Sequence, residues 1–322
     1  MRRLTIRSFF CLLLLLWRLP SGRADNGWEG QVLSLIWEND AIAGSDKHYT
    51  QGAGLSYLSR DDALPGWLKR FSGWVPAVGY DVQAQKYGVG IMQEIYTPED
   101  LRSSELVVND QPYAGWLYGT ATLQRRGQMR NGIPTMESIK LDLGIIGPES
   151  LAEDTQRSWH GVQPMGWAHQ LKTEPGLNLR YNRSVLFRTG GKESSWRADF
   201  IPFLDASAGN VHTYFGAGGT VRAGYNIPNE FGVSREEPMR WGGYFFARAQ
   251  GRWVLRDIFL DGNTFRESHS VDKRPLVGDI RIGLTLVFKM VEITAAHTVL
   301  SEEFRGEHGT DSYGTAMITV KF

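Results

Sequence analysis

Beyond residue 24 this sequence contains no cysteine, because its one cysteine, Cys11, lies in an apolar N-terminal segment. It also lacks an excess of charge of one sign, since 35 Lys and Arg face 35 Asp and Glu and no block of like charges occurs. The balanced charge excludes the basic footprint of a nucleic-acid-binding protein, so we expect no nucleic-acid partner. Without cysteine, the rest of the chain can form no disulfide, thiolate nucleophile or cysteine-bound metal site.

Long hydrophobic runs are missing as well. After the N-terminal segment no stretch reaches the roughly 18 apolar residues of a transmembrane helix, and the mean hydropathy is −0.30. The composition therefore indicates a polar, soluble-looking protein, while 12% aromatic residues are too many for a disordered chain. Also absent are the Gly-x-Ser-x-Gly elbow, the His-Glu-x-x-His zinc motif and Gly-rich phosphate or dinucleotide loops.

The N-terminus predicts export. Residues 1–24 have the pattern of a secretory signal: early arginines, an apolar run at 9–17, and small residues before a cleavage position preceding Asp25. The apolar run is too short for a membrane anchor. Cleavage removes five arginines and no acid, so the mature chain, residues 25–322, is mildly acidic.

The mature chain shows the two-residue alternation of β-strands, interrupted by turn residues. In the last segment, 312–322, Ala316, Ile318, Val320 and Phe322 fall on one face. An apolar alternation that ends in a terminal Phe is typical of the closing strand of a bacterial outer-membrane barrel. An ordinary edge strand is the alternative, and the signal beside it favours the barrel.

Twelve such segments have about the length of a tilted membrane strand, and an even number suits a single-chain barrel. The segment 241–260 is either one long strand or a hairpin, and the long intervals near 61–85, 97–114, 147–176 and 227–240 are predicted loops. We therefore expect an all-β fold: one transmembrane antiparallel β-barrel domain of about 12 strands, residues 25–322, with a short helix and rim loops carrying the active site. The twelve segments are 29–38, 50–60, 86–95, 115–126, 135–146, 177–189, 195–208, 212–226, 241–260, 276–288, 290–300 and 312–322.

Aromatic residues cluster near the ends of these segments. This placement suits the girdles in which Trp and Tyr rings lie at the level of the lipid headgroups. Each residue taken singly is as consistent with ordinary packing. The group comprises Trp28, Trp37, Trp67, Trp74, Trp116, Tyr118, Trp241, Tyr244 and Trp253.

One interval, 148–160, predicts a helix, with Pro148 in its first turn, acids near its start and Gly161 after its end. Gln156 and His160 are four residues apart and would share a helix face. An amide one turn away can hold a histidine in one tautomer and orientation for proton transfer. A solvated helix face is the alternative interpretation of this pair.

A second polar group, Glu38-Asn39-Asp40, ends the first predicted strand. Carboxylate and amide oxygens are the hard ligands that Ca²⁺ prefers. The spacing is not that of an EF-hand loop, and a simple hairpin turn is the alternative.

Several strings together resemble the outer-membrane lipid A 3′-O-deacylase family, and they occur in order over residues 37–175. Gln51 stands where that family has Asn, a mild departure. The strings are Glu38-Asn39-Asp40, Asp46-Lys47-His48-Tyr49-Thr50-Gln51-Gly52, Tyr96-Thr97-Pro98, Gln111-Pro112-Tyr113-Ala114-Gly115-Trp116, Gly144-Ile145-Ile146-Gly147-Pro148, Gln156-x-x-x-His160, Gly166-Trp167-x-x-Gln170-Leu171 and Glu174-Pro175.

The resemblance implies a twelve-stranded outer-membrane barrel of a Gram-negative cell that removes the 3′-acyloxyacyl group of lipid A with Ca²⁺ as cofactor. It implies that His160 is the general base, that Gln156 is its supporting amide, and that Asn39 and Asp40 line the site beside the cation. With no cysteine or activated-serine motif, water is the economical nucleophile. Lower-ranked candidates for substrate binding or support are Tyr49, Thr50, Glu94 and Glu174, which alternatively hold rim turns together.

Two other functions stay open at this stage. An outer-membrane phospholipase would use a serine beside histidine, but Ser158 and His160 are two residues apart and do not face each other on a helix. The other is a non-enzymatic channel or structural barrel. For the deacylase we expect lipopolysaccharide as substrate, outer-membrane lipids as surroundings, and a monomer.

Overall fold

Alternating segments form the strands of a single closed antiparallel sheet in the computed structural model, which describes residues 30–40, 47–159, 164–190, 194–231 and 241–322. The predicted signal, 1–24, lies outside the described residues. The strands are β1 Val32–Asn39, β2 His48–Leu58, β3 Tyr80–Thr97, β4 Ala114–Met129, β5 Pro134–Ile146, β6 Glu174–Val185, β7 Phe187–Thr189, β8 Trp196–Gly209, β9 His212–Tyr225, β10 Trp241–Asp257, β11 Leu276–Phe288, β12 Val291–Leu300 and β13 Asp311–Lys321.

The sheet closes into a barrel of twelve strands. The last strand, β13, pairs with β1, with Lys321 opposite Val32. β6 and β7 both pair with β8, so they are one barrel strand interrupted at Leu186. Closure leaves no sheet edge exposed. The prediction of an all-β barrel of about 12 strands is confirmed, and each of the twelve segments overlaps one barrel strand.

Among the described residues, three α-helices interrupt the strands: α1 Gly66–Trp74, α2 Ala152–Trp159 and α3 Ile258–Asp261. The long segment beginning at residue 241 is one strand followed by α3, so the hairpin alternative was wrong. The interval 61–85 is not only loop, because it contains α1 and the start of β3.

The helix predicted over 148–160 is divided. Pro148–Ser150 forms a 3₁₀ turn, Leu151 adopts a left-handed conformation with φ 61°, and α2 follows. The single-helix prediction was wrong there because a left-handed residue ends the hydrogen-bonding pattern of the first turn. No helix among the described residues is long and apolar enough to cross a membrane.

The two ends of the barrel differ. At one end, here called the site rim, lie the connections β1–β2, β3–β4, β5–β6, β10–β11 and β12–β13. The opposite end, the terminal rim, holds α1, the short β4–β5 and β11–β12 turns and both ends of the sheet, where the Phe322 amide N–H bonds the Gln31 carbonyl.

Side chains alternate between an apolar outside and a polar lumen. Val89 and Ile91 on β3 are more than half exposed on the outer wall, while Glu94 on the same strand points inward. The aromatic prediction holds only in part, because Trp116 and Tyr118 are buried, whereas Trp67, Trp74, Trp241 and Trp253 are exposed. Burial on the lumen side of β4 explains the difference, since those two rings stack on each other at 3.7 Å.

Candidate active site

A β-bulge at the start of β2 separates two neighbouring site candidates. Tyr49 is paired with Tyr96 and Gln51 with Ile95, so Thr50 is an extra residue of β2 that has no partner in β3. An extra residue reverses the alternation of the strand beyond it. Tyr49 therefore turns into the lumen, while Thr50 contacts a residue of the outer face.

The outer face of the site rim carries a small polar cluster. Asn39 Nδ2 donates a hydrogen bond to the Thr50 carbonyl at 3.1 Å, and Thr50 Oγ1 lies 2.7 Å from Thr97 Oγ1. Thr97 has the same alternation as the outward Val89. Asp40 follows Asn39 and is completely buried. We call Asn39, Asp40, Thr50 and Thr97 the outer rim cluster.

Helix α2 packs against the same outer wall. Ala152 at its start belongs to a buried apolar cluster with Ile95 of β3. Such a close approach requires glycine on β4, since a Cβ on Gly115 would collide with the Ser150 hydroxyl and the Ala152 methyl. Asn39, Gln51 and Ile95 are consecutive partners across β1, β2 and β3, so Asn39 lies about 10 Å, two strand spacings, from Ile95. Thr97 lies nearer, two residues beyond Ile95 on the same strand.

Gln156 lies one turn beyond Ala152 on the buried face of α2 and has no exposed surface. Its Oε1 accepts a hydrogen bond from Trp167 Nε1 at 2.9 Å. His160 lies outside the described residues. Ser158, in contrast, is exposed and donates to the Asp154 carbonyl within its own helix at 2.7 Å, and no contact of this serine with another described residue favours the phospholipase alternative.

The other predicted site residues lie on the lumen side of the wall. The Tyr49 hydroxyl donates to Glu38 at 2.7 Å. Glu94 accepts hydrogen bonds from Tyr96 at 3.0 Å and Tyr118 at 2.7 Å. The structure thus brings Asn39 and Thr50 together, with Asp40 buried directly after Asn39 in the chain, and no contact given for the described residues joins Tyr49 or Glu94 to them.

Glu174 has a third position, at the start of β6. Its carboxylate accepts the backbone N–H groups of Thr264 and Phe265, each within 3.2 Å. Both residues belong to the β10–β11 connection. Glu174 therefore fastens a rim loop, in agreement with the alternative interpretation for these lower-ranked candidates.

A group of titratable residues that the sequence did not reveal lies beside the outer rim cluster. His48, two residues before Thr50, is buried against Asp110, Glu307 and Asp311. Burial raises the pKa of Glu307 to about 7. Burial opposes ionisation of Asp110 as well, yet the hydrogen bond from His48 holds its pKa below the ordinary value.

Three residues of the site were missed for identifiable reasons. Thr97 and Trp167 both lie in sequence strings that carry the family resemblance. Neither threonine nor tryptophan is a usual general base or metal ligand, so these two residues were not singled out. Asp311 gave no signal because 263 positions separate it from His48.

The outer rim cluster contains oxygen donors of the kind that Ca²⁺ prefers. Asp40 offers a buried carboxylate and Asn39 an amide oxygen, and both are hard oxygen donors. These residues fit the expected cation by donor type.

Comparison with known proteins gives one family and a related fold. The family model described as outer membrane protein LpxR matches residues 9–322. LpxR from Salmonella typhimurium superimposes with a TM-score of 0.69 and 21% identity, over 90% of this chain and 100% of that chain. The β domain of the Bordetella autotransporter BrkA matches with a TM-score of 0.44 and 10% identity, over 91% of this chain and 99% of that one. Among curated proteins, no sequence matches.

Proposed function

The chain belongs to the LpxR family of outer membrane proteins, and from this premise we propose that it is a lipid A 3′-O-deacylase. It would hydrolyse the 3′-linked acyloxyacyl ester of lipopolysaccharide in the outer membrane of a Gram-negative cell. The observation that carries the proposal is the buried polar cluster on the outer face of the wall, beside α2. A lipid that surrounds the barrel reaches this face without entering the lumen.

His160 is the proposed general base, and water is the nucleophile. An indole N–H can only donate, so Trp167 fixes the oxygen end of the Gln156 amide. That oxygen has a second lone pair, which would accept a hydrogen bond from the ring N–H of His160. The other ring nitrogen would then take the proton from water as the water attacks the ester.

Asp40 and Asn39 are the proposed ligands of Ca²⁺, which when bound would polarise the ester carbonyl and stabilise the developing oxyanion. The hydrogen bond from Asn39 Nδ2 to the Thr50 carbonyl fixes the plane of the amide. Thr50 is in turn held by Thr97. Preorganised groups of this kind require no rearrangement during the reaction.

The first test removes the base. We expect His160→Ala to lower deacylation at least about 100-fold, since general-base catalysis contributes roughly 10²–10⁴-fold. Mass spectrometry of lipid A from cells expressing each variant measures the loss of the 3′-acyloxyacyl group. His308→Ala, which removes an exposed histidine from the β12–β13 connection, is the matched control. Full activity of a folded, heat-modifiable His160→Ala barrel would rule out the assignment.

The second test removes the cation. We expect chelator to abolish turnover of the purified enzyme and Ca²⁺ to restore it better than Mg²⁺, because Ca²⁺ accepts irregular oxygen coordination. Asp40→Asn should weaken the response to Ca²⁺, whereas Asp81→Asn on β3 at the terminal rim should not. Turnover that is insensitive to chelator would take Ca²⁺ out of the mechanism.

A further inference from the structure

Three buried side chains converge beside the outer rim cluster. His48 is the first residue of β2, Asp311 is the first residue of β13, and Glu307 lies in the β12–β13 connection. One ligand atom from each lies within 4.8 Å of the others. His48 Nδ1 is hydrogen-bonded to Asp311 Oδ2 and lies 3.7 Å from Glu307 Oε1. Within the described residues this Glu307 oxygen is buried and has no hydrogen-bond partner.

The surroundings of the three are those of metal ligands. The other ring nitrogen of His48, Nε2, lies 2.9 Å from Asp110 Oδ1. The second oxygen of Glu307 accepts the backbone N–H of Phe304 at 3.2 Å. Metal-ligating histidines typically donate their free N–H to a carboxylate, and ligating carboxylates are themselves oriented by hydrogen bonds.

Charge is consistent with this. The carboxylates of Asp110, Glu307 and Asp311 surround His48, and Lys47 lies 3.4 Å from Asp311 Oδ1. With the three carboxylates ionised and the imidazole neutral, Lys47 and a divalent cation make the charges equal, and buried charge is costly unless it is paired.

We propose that His48, Glu307 and Asp311 form a binding site for a Zn²⁺-type divalent cation, separate from the outer rim cluster. One imidazole and two carboxylates suit Zn²⁺, whereas Ca²⁺ takes oxygen ligands only. Binding at Nδ1 displaces the proton shared with Asp311. The ion joins the start of β2 to β13 and the β12–β13 connection, and so holds Thr50, two residues further along.

Isothermal titration of the detergent-solubilised protein with Zn²⁺, after chelator and desalting, tests the site. We expect one Zn²⁺ per chain, with release of a proton that the buffer dependence of the enthalpy reveals. His48→Ala should abolish binding and Glu307→Gln, which is nearly isosteric, should weaken it strongly. Asp110→Asn, which changes only the residue behind His48, should weaken it about 10- to 100-fold.

His308→Ala is the matched control, because this exposed histidine follows Glu307 directly, and its affinity for Zn²⁺ should be that of the wild type. Asp40→Asn should also keep full Zn²⁺ uptake, which distinguishes this site from the proposed Ca²⁺ ligands. Absence of Zn²⁺ uptake by the wild type, or equal uptake by folded Glu307→Gln, would overturn the proposal. Saturation by Ca²⁺ with no response to Zn²⁺ would overturn it as well.

Discussion

The indole of Trp167 determines how the Gln156 amide is oriented. The amide is completely buried, and its oxygen accepts the indole N–H. Without that donor, the oxygen and nitrogen of the amide could exchange places. The nitrogen would then lie where the oxygen is proposed to accept the N–H of His160. Under the proposed mechanism, Trp167 is a positioning residue that acts through Gln156.

Trp167→Phe should lower kcat about tenfold while leaving KM nearly unchanged. A tenfold change corresponds to about 1.4 kcal/mol, the usual scale of one lost hydrogen bond. Steady-state kinetics on lipid A in mixed micelles measures both constants. Trp253→Phe, an identical change at a half-exposed ring on the outer wall, should leave both constants as they were. A rise in KM with unchanged kcat would contradict the positioning role.

At this scale the sequence carried only part of the information. Asn39 ends β1, a strand of clear alternation, so its proximity to Thr50 at the start of the next strand could be predicted. The opposite sides taken by Tyr49 and Thr50 could not, because they depend on one extra residue in the pairing of β2 with β3. A bulge leaves the composition of the strand unchanged and is visible only in the register.

At the scale of elements, helix α2 can pack closely on β4 because β4 has a glycine, without a side chain, at the contact. Gly115 faces Ser150 and Ala152 with no room for a methyl group. Gly119 lies four residues further along the same strand, and a Cβ placed on it would have no neighbour closer than 3.7 Å.

Gly115→Ala should therefore displace α2 and reduce deacylation about 100-fold, the typical loss for a misplacement of about 1 Å in a catalytic group. Gly119→Ala should keep full activity. Lipid A mass spectrometry gives the activity, and heat-modifiable mobility on gels shows that both barrels are folded. Equal activity of the two variants would mean that α2 is not positioned by this contact.

Strands could be predicted from the sequence far better than helices. Period-two alternation persists in each barrel strand because one face is apolar and the other is polar. Helix α1 was taken for part of a loop, although Trp67, Phe71 and Trp74 recur at the helical spacing of four and three residues. All three side chains are exposed in the structure. Arg125 on the wall holds this helix end, donating to the Val75 carbonyl at 2.7 Å. Exposed aromatic rings of this kind are typical of helices at a membrane surface.

Over the whole molecule, the lumen is crossed by charged pairs. Arg281 donates to Glu38 at 2.8 Å near the site rim. Arg222 and Arg188 both bind Asp199, at 2.6 and 2.7 Å, nearer the terminal rim. Small barrels are filled in this way by their own side chains.

The charged pairs across the lumen predict that the purified protein gives no stable single-channel conductance in planar bilayers. Under the same conditions a porin of known conductance provides the positive control for insertion and detection. Discrete, reproducible conductance steps would instead favour the channel alternative.

The outward direction of Asn39 and Thr50 has a kinetic consequence. A substrate that reaches the outer wall arrives by lateral diffusion within its own leaflet, so its supply depends on its mole fraction among the surrounding lipids. Diluting the aqueous volume would then leave the rate unchanged, whereas adding inert detergent or lipid would lower it. The rate of this barrel would therefore depend on the surface concentration of substrate in the membrane and not on its bulk concentration.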